Sequence, residues 1–316
     1  MKVIPLAADS LGVRSMATYV ECGQTRVLID PGASLGDRRF NLPPADEEWD
    51  ALKRANDRIS AYAARAGVIF ISHYHEDHFR YDRTIYDDRS VWAKDPKRMV
   101  GPRQASRAAE LWKGLQGRCR LDSAEGRRLE TPDAVLTASP PLSHGVEGGA
   151  LGYIVALTIS DRREGARFVH ASDVQGPLSP VAAAYLIRER PTLLYLSGPP
   201  AYLESQLGSS VIWRGVMNLE RIVEATGCRV ILDHHAIRDE HYGERFGRLW
   251  ETGQIVTAAR FIGQTDTPLE ATRYLLWRAR RKAPTPMPAR RLKGGRASTI
   301  MGPDSAPKPA KEGTRQ

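Results

Sequence analysis

The segment Ser72-His73-Tyr74-His75-Glu76-Asp77-His78 crowds three imidazoles and two carboxylates into one short stretch. Imidazole with carboxylate is the donor set that zinc or iron selects. The plain alternative is a polar surface loop that happens to be rich in histidine. Clustering three imidazoles away from water with no cation to share is costly, so the spacing points to a metal site. His73 and His75 stand two apart, and on extended backbone both rings project to one side. Asp77 and His78 follow at once and can turn toward a second point.

The loop needs a rigid support, and the run Val68-Ile69-Phe70-Ile71 before it supplies one. The run is short, β-branched and aromatic, which reads as a buried strand, and the loop leaving the carboxyl end of such a strand is where α/β folds place chemistry. A helix is expected ahead of it between Pro43 and Gly67, where Trp49, Leu52, Ile59, Tyr62 and Ala63 recur at helical spacing. Its aromatics are expected to pack on a sheet. Lys2–Ala7, Met16–Cys22 and Thr25–Asp30 read as opening strands, with Gly23-Gln24 suited to a tight hairpin.

Residues 73–78 resemble the His-x-His-x-Asp-His signature of the metallo-β-lactamase-fold hydrolases. The resemblance implies an α/β protein, a four-layer αββα sandwich with two metals at one edge. Further marks follow in the family's order. Leu28-Ile29-Asp30-Pro31-Gly32 resembles the stretch the family carries before its metal loop, where the Asp supports that loop; as a plain alternative Asp30 is a turn former. His144, in Leu142-Ser143-His144-Gly145, corresponds to the histidine that completes the first metal site, its alternative being an exposed turn histidine. Asp173 leaves the strand Arg167–Ala171 in the position of the Asp that bridges both metals, and a carboxylate can present one oxygen to each cation. His170 reads as a packed or supporting histidine. After Arg229–Leu232 the family places its last ligand, and here His234 and His235 compete. Strand alternation would point them oppositely, leaving one to contact substrate or move a proton.

The resemblance therefore implies His73, His75 and His144 on one metal, Asp77, His78 and His234 or His235 on the other, and Asp173 between. It implies two divalent ions, zinc first, with manganese or iron as alternatives. Ions about 3.5–4 Å apart would hold a bridging hydroxide as nucleophile and polarise the scissile group. Asp77 is then the catalytic carboxylate, orienting that water while serving as a ligand. A Gly-x-Ser-x-Gly elbow and a phosphate-binding P-loop are absent, in keeping with water as attacker. None of Cys22, Cys119 and Cys228 lies at a ligand position, unlike the second site of many antibiotic-degrading relatives, and His75 stands where di-iron flavoproteins carry a glutamate. The interval from Asp173 to His234 is short for the extra domain of the large RNA-processing branch, so a compact microbial branch is expected.

The remaining chain sets the frame. Its 316 residues are 41% hydrophobic and 26% charged, an ordinary globular composition. No apolar run approaches a membrane span and no signal-like segment opens the chain, so a cytoplasmic protein without membrane contact is expected. The scattered cysteines suit neither a disulfide framework nor a cysteine metal site, and are expected to be buried small hydrophobes. The net charge of +9 resides between Arg278 and Gln316, where eleven Lys and Arg face only Asp304 and Glu312. The chain before Arg278 is formally neutral; residues 1–282 are read as a hydrolase domain and 283–316 as a disordered, basic, Pro- and Gly-rich tail. Such a tail could touch nucleic acid weakly, although solvation alone explains it.

Other segments are expected to surround the site. Phe79–Asp88 reads as a pocket rim, and Asp95–Gly117 as a helix-rich connection centred on Gln104–Trp112. There Arg103 and Arg107 could meet an anionic substrate, with an exposed helical face as the preferred reading. Leu151–Ser160 reads as one strand, Thr192–Ser197 as another, and Trp213–Thr226 as a helix ended by Gly227. Asp239 and His241 are expected near the rim. Three functions compete: a hydrolase of phosphodiesters or nucleic-acid-derived substrates, which two metals and nearby arginines favour; an ester, thioester or lactone hydrolase; and a nucleic-acid-binding protein with a vestigial site. A mononuclear iron oxygenase of the same fold is a further alternative.

Overall fold

The computed structural model describes residues 1–282, which fold as two β-sheets packed face to face between two layers of helices. The expected tail at 283–316 lies outside the described residues. The first sheet runs in the order β1 (Lys2–Pro5), β2 (Thr18–Cys22), β3 (Thr25–Ile29), β4 (Val68–Ile71), β5 (Ser90–Ala93) and β6 (Arg120–Ser123). Its first three strands are antiparallel, and β3 through β6 are parallel.

The helices α1 (Asp46–Ala63) and α2 (Pro102–Leu115) cover the outer face of this sheet. Helix α1 opens with Asp46, Glu47 and Glu48, which favour the positive end of the helix, and Glu48 accepts the Ala45 N–H at 2.8 Å. Ala51, Ala55, Ile59 and Ala63 recur every fourth residue and form the buried stripe. These small side chains bring the helix close to the sheet, and burying Ile59 contributes about 2 kcal/mol. Tyr62 packs partly against the same core, but Trp49 is 54% exposed, contrary to the sequence reading. It lies off the stripe because it sits two residues before Ala51.

The second sheet has the order β15 (Ile255–Val256), β14 (Arg229–Asp233), β13 (Leu193–Ser197), β12 (Arg167–Ala171), β11 (Leu157–Asp161), β8 (Ala134–Ala138) and β7 (Arg128–Glu130). Strands β12 to β15 are parallel. The ribbon of β9 (Leu142–Ser143) and β10 (Tyr153–Ile154) stands apart. Leu151–Ser160 is thus broken at Val155-Ala156, a correction to the single strand expected. There the Val155 N–H donates to the Ser72 carbonyl at 3.0 Å, tying the chain to the metal-motif loop before it joins β8.

Helix α3 (Pro180–Glu189), the single turn α4 (Glu204–Leu207) and α5 (Ser209–Thr226) follow, with α3 and α5 over the outer face of the second sheet. Helix α5 buries Ile212, Val216, Leu219 and Ile222, begins before the expected Trp213, and ends as read, at Gly227, whose φ of 66° closes it in the left-handed region. Strand alternation shares out the core. Val68 and Phe70 face the second sheet beside Leu157, Phe168 and Ile231, while Ile69 and Ile71 face the helices. Among the described residues no helix is long and apolar enough to cross a membrane.

Candidate metal centre

The carboxyl ends of β3, β4, β12 and β14 meet at one edge of the sandwich, as the crevice rule for parallel strands leads one to expect. From β4 come His73, His75, Asp77 and His78; from β9 His144; from β12 Asp173; and from β14 His234 and His235.

Two groups of donor atoms form. In the first, His73 Nε2 lies 3.1 Å from His75 Nδ1, which lies 3.3 Å from His144 Nε2. Asp173 Oδ2 is 3.3, 3.7 and 2.9 Å from those three nitrogens in turn. Bonds of the usual zinc length directed to the corners of a tetrahedron place donors about 3.4 Å apart. In the second group, His234 Nε2 lies 3.5 Å from Asp77 Oδ2 and 3.4 Å from Asp173 Oδ1. His78 Nε2 is 3.8 Å from Asp77 Oδ1 and 3.7 Å from Asp173 Oδ1. Both His78 Nε2 and Asp173 Oδ1 are buried without a hydrogen-bond partner. Orphaned buried acceptors aimed at one point fit a cation.

His235 stands further off, its Nε2 4.0 Å from Asp173 Oδ2 and its Nδ1 unpartnered. The two histidines do not point oppositely, because the chain is no longer a strand where they stand. His234 takes a left-handed φ of 54° and starts a 3-10 turn through Arg238, which brings the two rings to 4.5 Å between centroids. Asp173 also has a left-handed φ, 45°. Such backbone in non-glycine residues is costly and collects at functional sites.

Supporting contacts fix the donors. Asp30 Oδ1 accepts the Ser72 N–H at 2.7 Å, while its Oδ2 accepts the Ser72 hydroxyl at 2.7 Å and lies 3.0 Å from His78 Nδ1. A Cβ added to Gly32 would stand 2.4 Å from the Phe79 nitrogen and 2.6 Å from that of His78, so only glycine lets the motif loop settle here. His170 is packed, with its Nε2 3.1 Å from the Met16 carbonyl.

Three further residues had no signal in the sequence. Asp9 Oδ2 meets His234 Nδ1 at 2.6 Å, and Asp9 Oδ1 accepts Arg238 Nε at 2.8 Å. Arg238 Nη2 then reaches Asp77 Oδ2 at 3.3 Å. Arg14 forms a paired contact with Glu270 through Nε at 2.6 Å and Nη2 at 2.5 Å. These contacts join segments 161 to 256 residues apart, which local patterning cannot reveal.

The electrostatics express a demand for positive charge. Burial alone would raise the Asp173 carboxyl, but His235, His78, His234 and His144 around it hold it well below the usual range. Burial opposes the His78 imidazolium, yet Asp173, Asp77 and Asp30 lift it to about 9. Burial pushes Asp9 up to about 7 despite Arg238 beside it.

The donors open into a cavity of about 650 Å³ that Arg14, Arg103, Arg107 and Arg238 line together with Tyr202 and Leu151. Arg103 and Arg107 both line the cavity; Arg103 is exposed, in keeping with the sequence reading, and Arg107 is half-buried. The expected rim at Phe79–Asp88 is not in the lining: Phe79, Ile85 and Tyr86 are buried in the core beneath α1 and α2. Asp239 and His241 are also absent from it. Asp239 pairs with Arg245 at 2.8 Å, and the His241 side chain is 64% exposed.

An αββα sandwich that gathers a His-x-His-x-Asp-His loop and a strand-end aspartate at one edge defines the metallo-β-lactamase-fold superfamily, and this protein has that fold. No family model matches the chain. It is 39% identical over 289 residues to a UPF0282 protein of Methanopyrus kandleri, covering 86% of this chain and 98% of that one. To a UPF0282 protein of Thermococcus gammatolerans it is 39% identical over 305 residues, 92% of this chain and 99% of the relative. The chain belongs to the UPF0282 family. Among solved structures it is similar to Tm1679, a metal-dependent hydrolase of the β-lactamase superfamily, with a TM-score of 0.47 and 14% identity over 81% of this chain and 96% of that one.

Proposed function

We propose that residues 1–282 form a dinuclear metal-dependent hydrolase, with phosphodiesters, including nucleic-acid-derived ones, as the favoured substrates. One observation carries the reading: Asp173 turns Oδ2 to one donor group and Oδ1, unpartnered, to the other. His73, His75 and His144 would hold the first ion, and Asp77, His78 and His234 the second, with Asp173 shared. His235, which also comes within ligand reach of Asp173 and His234, is read as a cavity-facing group because its Nε2 stands 4.0 Å from Asp173, further than the other donors. Bound there, two divalent ions, zinc first and manganese or iron as alternatives, would supply Lewis acidity and bring the pKa of a water toward neutrality.

The chain's own groups do the rest. Asp77 orients the attacking water, for which its carboxylate is placed by Arg238 Nη2. Asp30 and Gly32 hold the motif loop against rearrangement. Arginines in the cavity favour an anionic substrate over a neutral ester. A cytoplasmic setting accords with this reading.

The test is elemental analysis of protein purified without chelators, beside Asp173→Ala, followed by turnover of bis(p-nitrophenyl) phosphate and p-nitrophenyl acetate. Near two zinc or manganese ions per chain, lost in the variant, with hydrolysis of the diester, is the expected result. Turnover of the acetate alone would replace the phosphodiester by the ester reading. One iron per chain would redirect the search to oxygen chemistry, and metal-free, inactive protein would sink the enzyme reading.

A further inference from the structure

We infer that the α2 wall of the cavity is a second anion-binding subsite, built by Arg103 and Arg107, for a substrate carrying a phosphate or similar anion beyond the scissile bond. The inference rests on the phosphodiester reading and deepens it. Among the described residues four arginines line the cavity, and two are already matched by carboxylates. Arg14 is held in a paired contact by Glu270, and Arg238 by Asp9 and Asp77. The other two are matched less fully. Arg107 Nη2 comes only to 3.4 Å of Glu76, whose side chain is 51% exposed. Among the described residues Arg103 pairs with no carboxylate.

The placement of this pair is fixed relative to the metal donors. Arg103 and Arg107 are four apart on α2, so both guanidinium groups leave the same helix face. Gln104 between them is buried and clamps the helix to the motif: its Oε1 accepts the Tyr74 N–H at 3.0 Å, and its Nε2 donates to the Leu151 carbonyl at 2.8 Å. Tyr74 lies between His73 and His75, so the arginine wall cannot drift from the donors. Gly101 and Pro102 bring the positive end of α2 into the same wall. A neutral substrate would leave Arg103 without a partner and Arg107 with only the half-exposed Glu76. Of the remaining acids on the lining, Glu76 already faces Arg107 and Asp37 comes from a different loop, after β3. The volume is within the range of about 300–1,000 Å³ typical of ligand sites, so a diester with one further charged group can be held.

The closing experiment compares thymidine 3′,5′-bisphosphate with thymidine 5′-monophosphate by calorimetry on the metal-loaded full chain, with bis(p-nitrophenyl) phosphate turnover read on the same samples. The bisphosphate is expected to bind about ten-fold more tightly or better, because a phosphate meeting two guanidinium groups gains charge-assisted hydrogen bonds. Arg103→Ala, at an exposed position that folding does not depend on, should cut the ratio, and Arg103→Ala with Arg107→Ala should bring it within about two-fold of unity. The preference should also shrink with added salt. A ratio near one in the unaltered protein, or a ratio the double variant keeps, overturns the subsite. Absence of diester turnover with the ratio intact overturns the phosphodiesterase reading and leaves the subsite standing.

Discussion

The Asp9 carboxylate meets His234 Nδ1 at 2.6 Å across 225 residues of chain, and with its other oxygen it holds Arg238. His234 is thereby fixed with Nε2 toward Asp173. Arg238 Nη2 stands 3.2 Å from that same Nε2. The second donor group is thus both oriented and opposed by a neighbouring positive charge, whereas among the described residues the first has no arginine in such contact.

Two ions should accordingly bind with unequal affinity, the one at His73, His75 and His144 more tightly. Asp9→Ala removes the acceptor that orients His234, and loss of such a contact typically costs about 10- to 100-fold in metal affinity. The expected outcome is a fall from near two ions per chain to near one after dialysis against a weak chelator. Two ions retained with unchanged affinity would show that Asp9 does not position His234.

Gly32→Ala should release metal without unfolding the protein. The added methyl would press on the backbone of Asp77, His78 and Phe79, which is not free to yield as a flexible side chain would be. Displacing those residues moves two donors of the second group together. Ion content should fall while far-ultraviolet circular dichroism is preserved, and full metal content in the variant would contradict the tight seat.

Much of this arrangement was legible in the sequence, for local reasons. His73, His75, Asp77 and His78 are neighbours, so their convergence needs one loop. His144 and Asp173 each follow a recognisable strand, and the family order marked them. How His234 and His235 are placed was not legible, because it depends on a left-handed residue directly after β14 that alternation rules do not anticipate. Leu151–Ser160 misled for a related reason. An apolar run looks continuous even where Val155 abandons one partner to bind the Ser72 carbonyl. Asp9 and Arg14 act through contacts across the chain, as Arg238 does toward Asp9 and Asp77, and their local patterns resemble those of any loop.

The thiols give a test of the core that is independent of metal. Burial pushes the Cys22 thiol up to about 12, and Cys228 is raised as well by burial. The thiolate is the reactive form, so at pH 8 both are held as neutral thiols inside the fold, Cys22 2% and Cys228 1% exposed. Cys119 is less enclosed. Alkylation read by mass spectrometry should label Cys119 first and the other two only after denaturation. Rapid labelling of Cys22 in folded protein would mean that the interface between the sheets opens readily.

Glu48 and Arg273 form an ion pair that is fully buried on both sides, at 2.8 Å. Arg273 also donates to the carbonyls of Gly36 and Leu42 at 2.9 and 3.0 Å, and so binds the helix Arg273–Lys282 to α1 and to the loop carrying the cavity residues Leu35 and Asp37. Removing one partner leaves a charge buried and unpaired. Arg273→Met is therefore expected to destabilise the protein by about 3–5 kcal/mol, measured by denaturant unfolding. Replacing both, Glu48→Leu with Arg273→Met, removes both desolvation costs and should recover most of the loss. Orphaned carbonyls at Gly36 and Leu42 would keep that recovery incomplete, and the same double variant should loosen this wall of the cavity, visible as faster amide exchange in residues 35–42. A double variant no more stable than Arg273→Met alone would show that the carbonyl contacts of Arg273 and the Ala45 N–H contact of Glu48, not the ion pair, carry the anchoring.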